Sequence, residues 1–354
     1  MPNKIASKPM TTSPSETVVF GIIGAGSVSS LHAAAIRNCP EAHLAAVADV
    51  CEERARKLAD GAEVYTDYRR LLERRDIDAV CVCVPSGMHM PVCIDAANAG
   101  KHVLVEKPLE VTLEKADAII NACDKASVKL GVIFQVRFLP GVQAAKEAVS
   151  TGQLGKLVMG DAYVKWHRSQ DYYDSSDWRG TWEMDGGGAL MNQAIHHVDL
   201  LQWMMGPVDS IFGYTDTLVR ERIEVEDTAA ACLRFVNGAV GTIEACTSAK
   251  NGVPARLEIR GELGTIVLED GKIALWDIEG VPLPELDLVD LGSGASDPKA
   301  ITSVGHQAQI QDLARAIKEN RQPVVDGREA RKAVEIVTAI YRSARTGAPV
   351  KLPL

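Results

Sequence analysis

From Val18 to about Val132 short apolar runs alternate with segments of helical spacing, and this alternation constrains the fold more tightly than any other feature of the chain. "VVFGIIGAG" and "LAAVADV" enclose "HAAAIRNC"; "AVCVCVP" and "HVLVEKP" follow, each after a helix-like stretch. Parallel strands joined by helices need right-handed crossovers, and both faces of the resulting sheet are covered. From about Gly160 the pattern changes. "VMGDAYVKWHR", "TAAACLRFVNGAVGTIEACTSA" and "RLEIRGELGTIVLEDGKIALWDI" are extended runs joined by tight turns. Asn237-Gly238 and Asp270-Gly271 suit two-residue hairpins, because both central positions accept positive φ. Two amphipathic helices are expected near Gln307–Asn320 and Arg328–Thr346, after the loop "SGASDPKA".

The first turn carries chemistry. In "GIIGAGSVSSLH", Gly24 permits the tight turn, and Gly26 lets the backbone approach a pyrophosphate at a helix N-terminus. Ser29 stands where the dinucleotide fingerprint usually has its third glycine, and is small enough for close strand–helix packing. Ser27 and Val28 complete the loop facing the cofactor. Asp49 ends the next apolar strand, roughly 20 positions on, where a carboxylate binds the adenosine ribose and repels a 2′-phosphate. NAD is therefore expected rather than NADP, with Arg54 and Arg56 nearby as the countervailing feature. Asp49 also reads as the N-cap of "DVCEERARKL", a role compatible with the first.

The chain is thus an α/β protein. An N-terminal Rossmann doubly wound parallel sheet (17–135) follows a flexible tail (1–16) and precedes a C-terminal α+β domain (136–354). That second domain is built on a large, mainly antiparallel open sheet, and is expected to bind substrate and to carry oligomerisation. Charged residues make up 24% and hydrophobic ones 46%, with a net charge of −9 and no long basic run. That balance excludes nucleic acid or an anionic membrane as the main partner. The eight cysteines show no CxxC pair and no Cys/His ligand spacing, so no metal site is expected and a reducing cytoplasm is the natural compartment.

Two loops, "VPSGMH" and "VEKPL", end strands at the carboxyl edge, where open α/β sheets bind ligands. With "GIIGAGSVSSLH" before them and "GGGALMNQAIHHVD" after, the set resembles the glucose–fructose oxidoreductase/inositol dehydrogenase/MocA family over nearly the whole chain from Val18. The resemblance implies a bound nicotinamide dinucleotide and redox chemistry on sugars, cyclitols or related diols. It implies that Lys107 sits by the nicotinamide and the reacting oxygen, with Glu106 beside the cofactor. Pro85, Ser86 and His89 would lie along the nicotinamide half and Gln135 on the strand entering the second domain. His196 matches the family's active-site histidine, while Asn192, four residues earlier on one face of an expected helix, stands where many members have an aspartate; Asp199 falls near the same face, as a partner of His196 or as a satisfied polar residue.

That departure bears on mechanism. An amide can orient a ring or hold a hydroxyl, but it cannot take a proton. Lysine's ordinary pKa of ~10.4 is too high for a base at neutral pH, and burial beside the positive nicotinamide would lower it. Lys107 is placed first as general acid/base and His196 second. "VKWHRSQDYYDSSDWRGTWEMDGGGALMNQAIHHVDLLQWMMGP", "IEVEDTA" and "VDGREARKAVEI" are similar to bacterial UDP-N-acetyl-glucosaminuronate 3-dehydrogenases and related glycoside 3-dehydrogenases, which oxidise the C3 hydroxyl of a pyranose. On that likeness Arg168, Tyr172 or Tyr173, Trp178, Arg179 and Asn192 face the sugar or nucleotide sugar. Arg interleaved with aromatics suits sugar faces and hydroxyls. Other readings are a redox-neutral enzyme that oxidises C3 transiently and eliminates an aglycone, and an NAD-binding regulator without turnover. A homodimer or homotetramer through the C-terminal sheet is expected, since few helices are available to cover its two faces.

Overall fold

A computed structural model describes residues 17–286, 295 and 302–354. The expected tail at 1–16 and all of "SGASDPKA" except Ala295 lie outside the described residues. The first sheet has strands β1 (Val18–Ile23), β2 (Ala42–Ala48), β3 (Glu63–Tyr65), β4 (Ala79–Val82), β5 (His102–Val105) and β6 (Leu130–Val132). They are all parallel, in the order β3-β2-β1-β4-β5-β6. The order reverses between β1 and β4, which opens a crevice at their carboxyl ends. Every residue of β4 is buried, Cys81 among them, so the alternating cysteines act as small apolar strand residues.

Helices α1 (Ser29–Asn38) and α2 (Glu52–Ala59) cover one face, while α4 (His89–Asn98) and α5 (Leu113–Ala126) cover the other; α3 (Tyr68–Leu72) is a single turn after β3. On α5, Thr112 caps the first turn by accepting from the Lys115 amide, and Ser127 ends it in the left-handed conformation.

The second sheet holds β7 (Leu157–Lys165), β8 (Val208–Asp216), β9 (Thr228–Phe235), β10 (Val240–Cys246), β11 (Arg256–Gly261), β12 (Gly264–Glu269), β13 (Lys272–Ile278) and β14 (Val350–Lys351), in the order β13-β12-β11-β7-β10-β9-β8-β14. All its pairings are antiparallel except β7 with β10. The β12–β13 turn has positive φ at both Asp270 and Gly271, as expected of that hairpin. At the β9–β10 turn only Gly238 has positive φ. Asn237 instead braces the loop, its carbonyl oxygen accepting from the Ala239 amide and its NH₂ donating to Met205 O at 2.9 Å.

The short helix α7 (Gln170–Asp174) follows β7, while α8 (Ile195–Met205) and α10 (Gly327–Thr346) pack on the inner face of this sheet, with α6 (Pro140–Ser150) beside them. Helix α9 (Val304–Lys318) returns to the first sheet instead, where Ile310, Leu313 and Ala314 join the α1–α2 side of its core. One continuous apolar core runs from the other face of the first sheet through α8 into the second. Burial on this scale welds the halves together.

Arg137 lies on the connection between the halves and is 1% exposed. Its guanidinium forks onto Asp199 of α8 with two bonds of 2.6 Å, reaches Glu329 of α10 at 3.0 Å, and lies over the Trp203 ring. Asp199 therefore serves the domain junction and is not a partner of His196. Burial raises its pKa and the Arg137 charge opposes that rise. Arg137→Met leaves this carboxylate buried and unpaired, so urea unfolding at neutral pH should show a loss of about 3–5 kcal/mol. Without the arginine the Asp199 pKa rises further. Stability of the variant then falls as pH rises through that higher pKa, and the deficit against wild type shrinks on acidification.

Candidate functional site

The site lies where the β1, β4 and β5 loops meet the segment opening α8. Gly24, at φ +96°, follows β1, and a Cβ there would fall 2.6 Å from Cys83 O, so only glycine lets β1 and β4 diverge here. A Cβ at Gly26 would meet nothing within 4 Å. Helix α1 starts without a side-chain cap and without an acid in its first turn. Gly26 and Ser27 are exposed at this positive helix end, while the Val28 side chain packs against the core beneath the loop. Ser29 is fully buried and its hydroxyl donates to Gly26 O, so the departure from glycine is accommodated by a hydrogen bond. Asp49 accepts from the Ala25 amide at 2.7 Å, from Cys51 N and from Arg54. Burial pushes its pKa up, but those donors outweigh burial and hold it below the usual range. These residues fit a dinucleotide: an open amide cradle for the pyrophosphate, and an ionised carboxylate at the strand end.

Pro85 opens a 3-10 turn over Ser86–Met88, and Ser86 is buried. His89 is fully buried, with Nδ1 2.9 Å from Pro108 O and Nε2 3.1 Å from Val84 O. It ties the two loops together through their carbonyls. Gln135 has a buried Oε1 without a protein partner. Glu106 accepts from the Lys107 amide and lies 2.7 Å from His32 Nε2 and 3.7 Å from His306 Nε2. Burial raises the Glu106 pKa, but the two imidazoles outweigh it and keep the carboxylate ionised. This His32–Glu106–His306 cluster is the one grouping among the described residues with donor atoms close enough to hold a metal ion. His32 comes from α1 and His306 from α9, so the cluster also pins both helices to the β5 loop.

Lys107 Nζ donates to the backbone carbonyl of Asn192 at 2.7 Å. Burial lowers the lysine pKa, the charges of Arg179 and Arg168 lower it further, and Glu106 and Asp185 raise it. His196 is half-buried, packs edge-on against Phe134, and has a buried Nδ1 without a protein partner. Burial first, then Lys107 and His197, depress its pKa well below 6.5, so it is neutral at physiological pH. His197 is turned away and packs edge-on against Trp166.

The helix expected around Asn192 begins as a π-turn, Ala189–Ala194, before α8. A π-turn widens the ring of backbone bonds and commonly sits at a functional site. The glycine triplet makes it possible. A Cβ at Gly187 would collide with the Tyr341 hydroxyl and one at Gly188 with Glu226 O. The Glu226 carboxylate accepts from Gly188 N at 2.9 Å, Leu190 N at 2.8 Å and the Tyr341 hydroxyl at 2.9 Å.

From the π-turn a chain of side-chain hydrogen bonds runs across the site. Asn192 Nδ2 donates to Asp185, Gln193 Nε2 donates to Asn192 Oδ1 at 2.7 Å, and Arg168 Nε donates to Gln193 Oε1 at 3.1 Å. A carboxylate only accepts and a guanidinium only donates, so the two ends fix the orientation of both amides between them. Asn192 keeps one N–H and one lone pair for another partner. Tyr172 OH accepts from Arg179 at 2.6 Å and lies 3.3 Å from Gln193 Nε2. The Arg179 guanidinium lies between the Tyr172 and Trp178 rings, 4.4 and 4.5 Å from their centres. Tyr173 is buried, with its hydroxyl 2.9 Å from Thr247 Oγ1. Tyr172 is therefore the tyrosine on the site and Tyr173 belongs to the core. Sequence reasoning did not single out Asp185, Gln193, Glu226, Tyr341, His32 or His306. Two of them had a visible signal: Asp185 directly precedes the glycine triplet, and Glu226 falls within "IEVEDTA".

An oxidoreductase family profile with an NAD-binding Rossmann fold matches residues 18–134, and the GFO/IDH/MocA C-terminal domain matches residues 142–267. The crystal structure of the WlbA dehydrogenase from Bordetella pertussis, in complex with NADH and UDP-GlcNAcA, is 36% identical and superposes with a TM-score of 0.85 over 96% of this chain and 99% of that one. A levoglucosan dehydrogenase complexed with NADH and L-sorbose gives a TM-score of 0.82 at 25% identity, over 96% and 99%. The myo-inositol 2-dehydrogenase of Thermotoga maritima is 33% identical over 273 residues, 74% of this chain and 79% of that protein.

Burial raises the Glu226 pKa to about 7, and the backbone amides and Tyr341 only partly oppose this. An acid raised in the fold contributes most below its unfolded pKa of ~4.3, and its contribution is lost as pH rises through about 7. Glu226→Gln should therefore flatten the fall in melting temperature over that window. Gly188→Ala should displace Glu226 and abolish turnover while NADH affinity, read by fluorescence, stays within about twofold, since the cofactor cradle lies on other loops.

Proposed function

The chain belongs to the GFO/IDH/MocA oxidoreductase family and its cofactor is NAD, and on that footing we propose that it oxidises the C3 hydroxyl of a pyranose carried by an anionic nucleotide sugar. The observation that carries this reading is Arg179, whose guanidinium lies between the Tyr172 and Trp178 rings and within electrostatic reach of Lys107. A guanidinium in that position favours an anionic sugar over a neutral one, against a chain whose net charge is −9. The WlbA relative was solved with such a substrate, UDP-GlcNAcA.

NAD, when bound, supplies the hydride acceptor at its nicotinamide ring. The protein's part is the proton. The Lys107 amine, fixed by Asn192 O, takes the hydroxyl proton, and its depressed pKa leaves more of it neutral near physiological pH. His196, held neutral, is too weak a base to lead; its ring stands within electrostatic reach of Lys107 and orients the reacting hydroxyl. Trp178, Tyr172 and Arg179 form the wall against the sugar, and Asn192 offers its remaining N–H. A redox-neutral elimination needs a second base for the C2 proton. Of the buried carboxylates around the site, Glu106 is paired with His32 and Asp185 and Glu226 are committed to backbone amides, and no observation favours that reading.

We further propose a homodimer or homotetramer through the outer face of the second sheet, where Met159 and Val240 are exposed opposite one another on β7 and β10 and Tyr214 is exposed on β8. Burying such a patch against a copy stabilises an assembly. Light scattering at low concentration should give a mass at least twice that of the 38.1 kDa chain.

Incubation with NAD⁺ and a panel of UDP-N-acetyl-glucosaminuronate, UDP-glucose and simple glucosides, following NADH and the 3-keto product, tests the reading; turnover confined to neutral glucosides would refute the anionic substrate. Lys107→Met should cut turnover ~10²–10⁴-fold with NADH affinity retained. Oxidation should rise with pH through the lowered Lys107 pKa, and reduction should fall over the same range. Asp49→Ala should weaken NADH binding and narrow the preference over NADPH, both read by titration.

A further inference from the structure

The Asn192 amide is held by a carboxylate that helical spacing did not reveal. Asp185 is 1% exposed and uses both oxygens: Oδ2 accepts from Gly180 N at 2.9 Å, and Oδ1 accepts from Asn192 Nδ2. The residue it grips is the one whose backbone carbonyl seats Lys107. We infer that Asp185 is a positioning residue for Lys107: through Asn192 it fixes the carbonyl on which the lysine rests, and its charge sets the proton affinity of that lysine. The inference rests on the reading of Lys107 as the acid/base and adds to it the group that governs when the amine is neutral.

The charged and titratable surroundings are consistent with this. Lys107 faces Glu106 on its own loop, Asp185 before the π-turn, Arg168 and Arg179 from the segment after β7, and His196 from α8. The two arginines and burial favour the neutral amine; the two carboxylates favour the ammonium. Glu106 is already paired with His32. Burial raises the Asp185 pKa, the Gly180 amide, Asn192 and the charges of Lys107 and Arg179 oppose that rise, and among the described residues no cation lies within ion-pair distance of its carboxylate. The lysine is thus balanced between groups of opposite sign, and Asp185 is the carboxylate whose removal tips it towards the free amine.

The direction of the amide chain makes a decisive experiment available. Asp185→Asn leaves a donor facing the Asn192 NH₂ and removes the charge. The double variant Asp185→Asn/Asn192→Asp moves the carboxylate seven residues along, and every pairing survives. The amide introduced at position 185 accepts from Gly180 N and donates to position 192, whose new carboxylate also accepts from Gln193 Nε2. The full chain is acylated competitively with acetic anhydride from neutral to alkaline pH. The titration midpoint of Lys107 is then read from its own peptide by mass spectrometry. The expected result is a midpoint lower by roughly one unit in Asp185→Asn and returned to the wild-type position in the double variant. An unmoved midpoint in Asp185→Asn overturns the proposal, as does a double variant that titrates like the single one. If Asp185→Asn does not fold, Asp185→Glu shifts the carboxylate by one methylene, and an unmoved midpoint in that folded protein is equally fatal. The labelling needs no substrate. A Lys107→Met protein that kept its turnover would remove the acid/base reading while leaving the labelling result intact.

Discussion

The hydrogen bond from Lys107 Nζ to the carbonyl of Asn192 is the contact on which the site depends, because it joins the tip of the parallel sheet to the segment that opens the second domain. Its donor is fixed by β5 and the loop after it, whose carboxylate, Glu106, is held between His32 and His306. Its acceptor is fixed by a π-turn that three glycines allow to lie directly against Glu226 and Tyr341. Remove either support and the lysine has no defined direction. On the proposed reading of Lys107 as the base, preorganisation of this kind settles its geometry before substrate arrives.

Around that bond the protein arranges buried charge so that each group has a counterpart. Arg137 pairs with Asp199 and Glu329 at the junction, Glu106 with two imidazoles, and Arg168 is reached from Asp185 through two amides. A buried charge without a partner is costly, and one whose partner lies at the far end of an amide chain remains electrostatically active. The first kind of pairing holds the halves in register. The second leaves the pocket with a field, and that field falls on Lys107.

The family resemblance and this geometry agree on the cofactor and diverge on one detail that matters for mechanism. A carboxylate at position 192 would stand on the helix itself. Here the helix carries an amide, and the carboxylate comes from the residue before the glycine triplet. A buried carboxylate thus stands one hydrogen bond away from position 192, supplied by a different stretch of backbone. The amide then extends the connection to Gln193 and Arg168, which a second carboxylate could accept from but not pass on.

The sequence by itself determined the two sheets, the dinucleotide loop and Asp49, because each rests on local spacing: strand–helix alternation, a glycine turn, a strand end; Lys107 and His196 came forward only through the family resemblance. It also showed a glycine triplet without its reason, since the reason is Tyr341 and Glu226, distant in the chain. Only the tertiary structure separated Tyr172 from Tyr173, assigned Asp199 to Arg137 rather than to His196, and sent α9 back to the first sheet. It also replaced an expected α-helical turn by a π-turn, so that a backbone carbonyl meets the lysine. Periodicity records which face of an element is apolar. Which polar group meets which depends on contacts between segments far apart in the chain, and those exist only once the two sheets have packed.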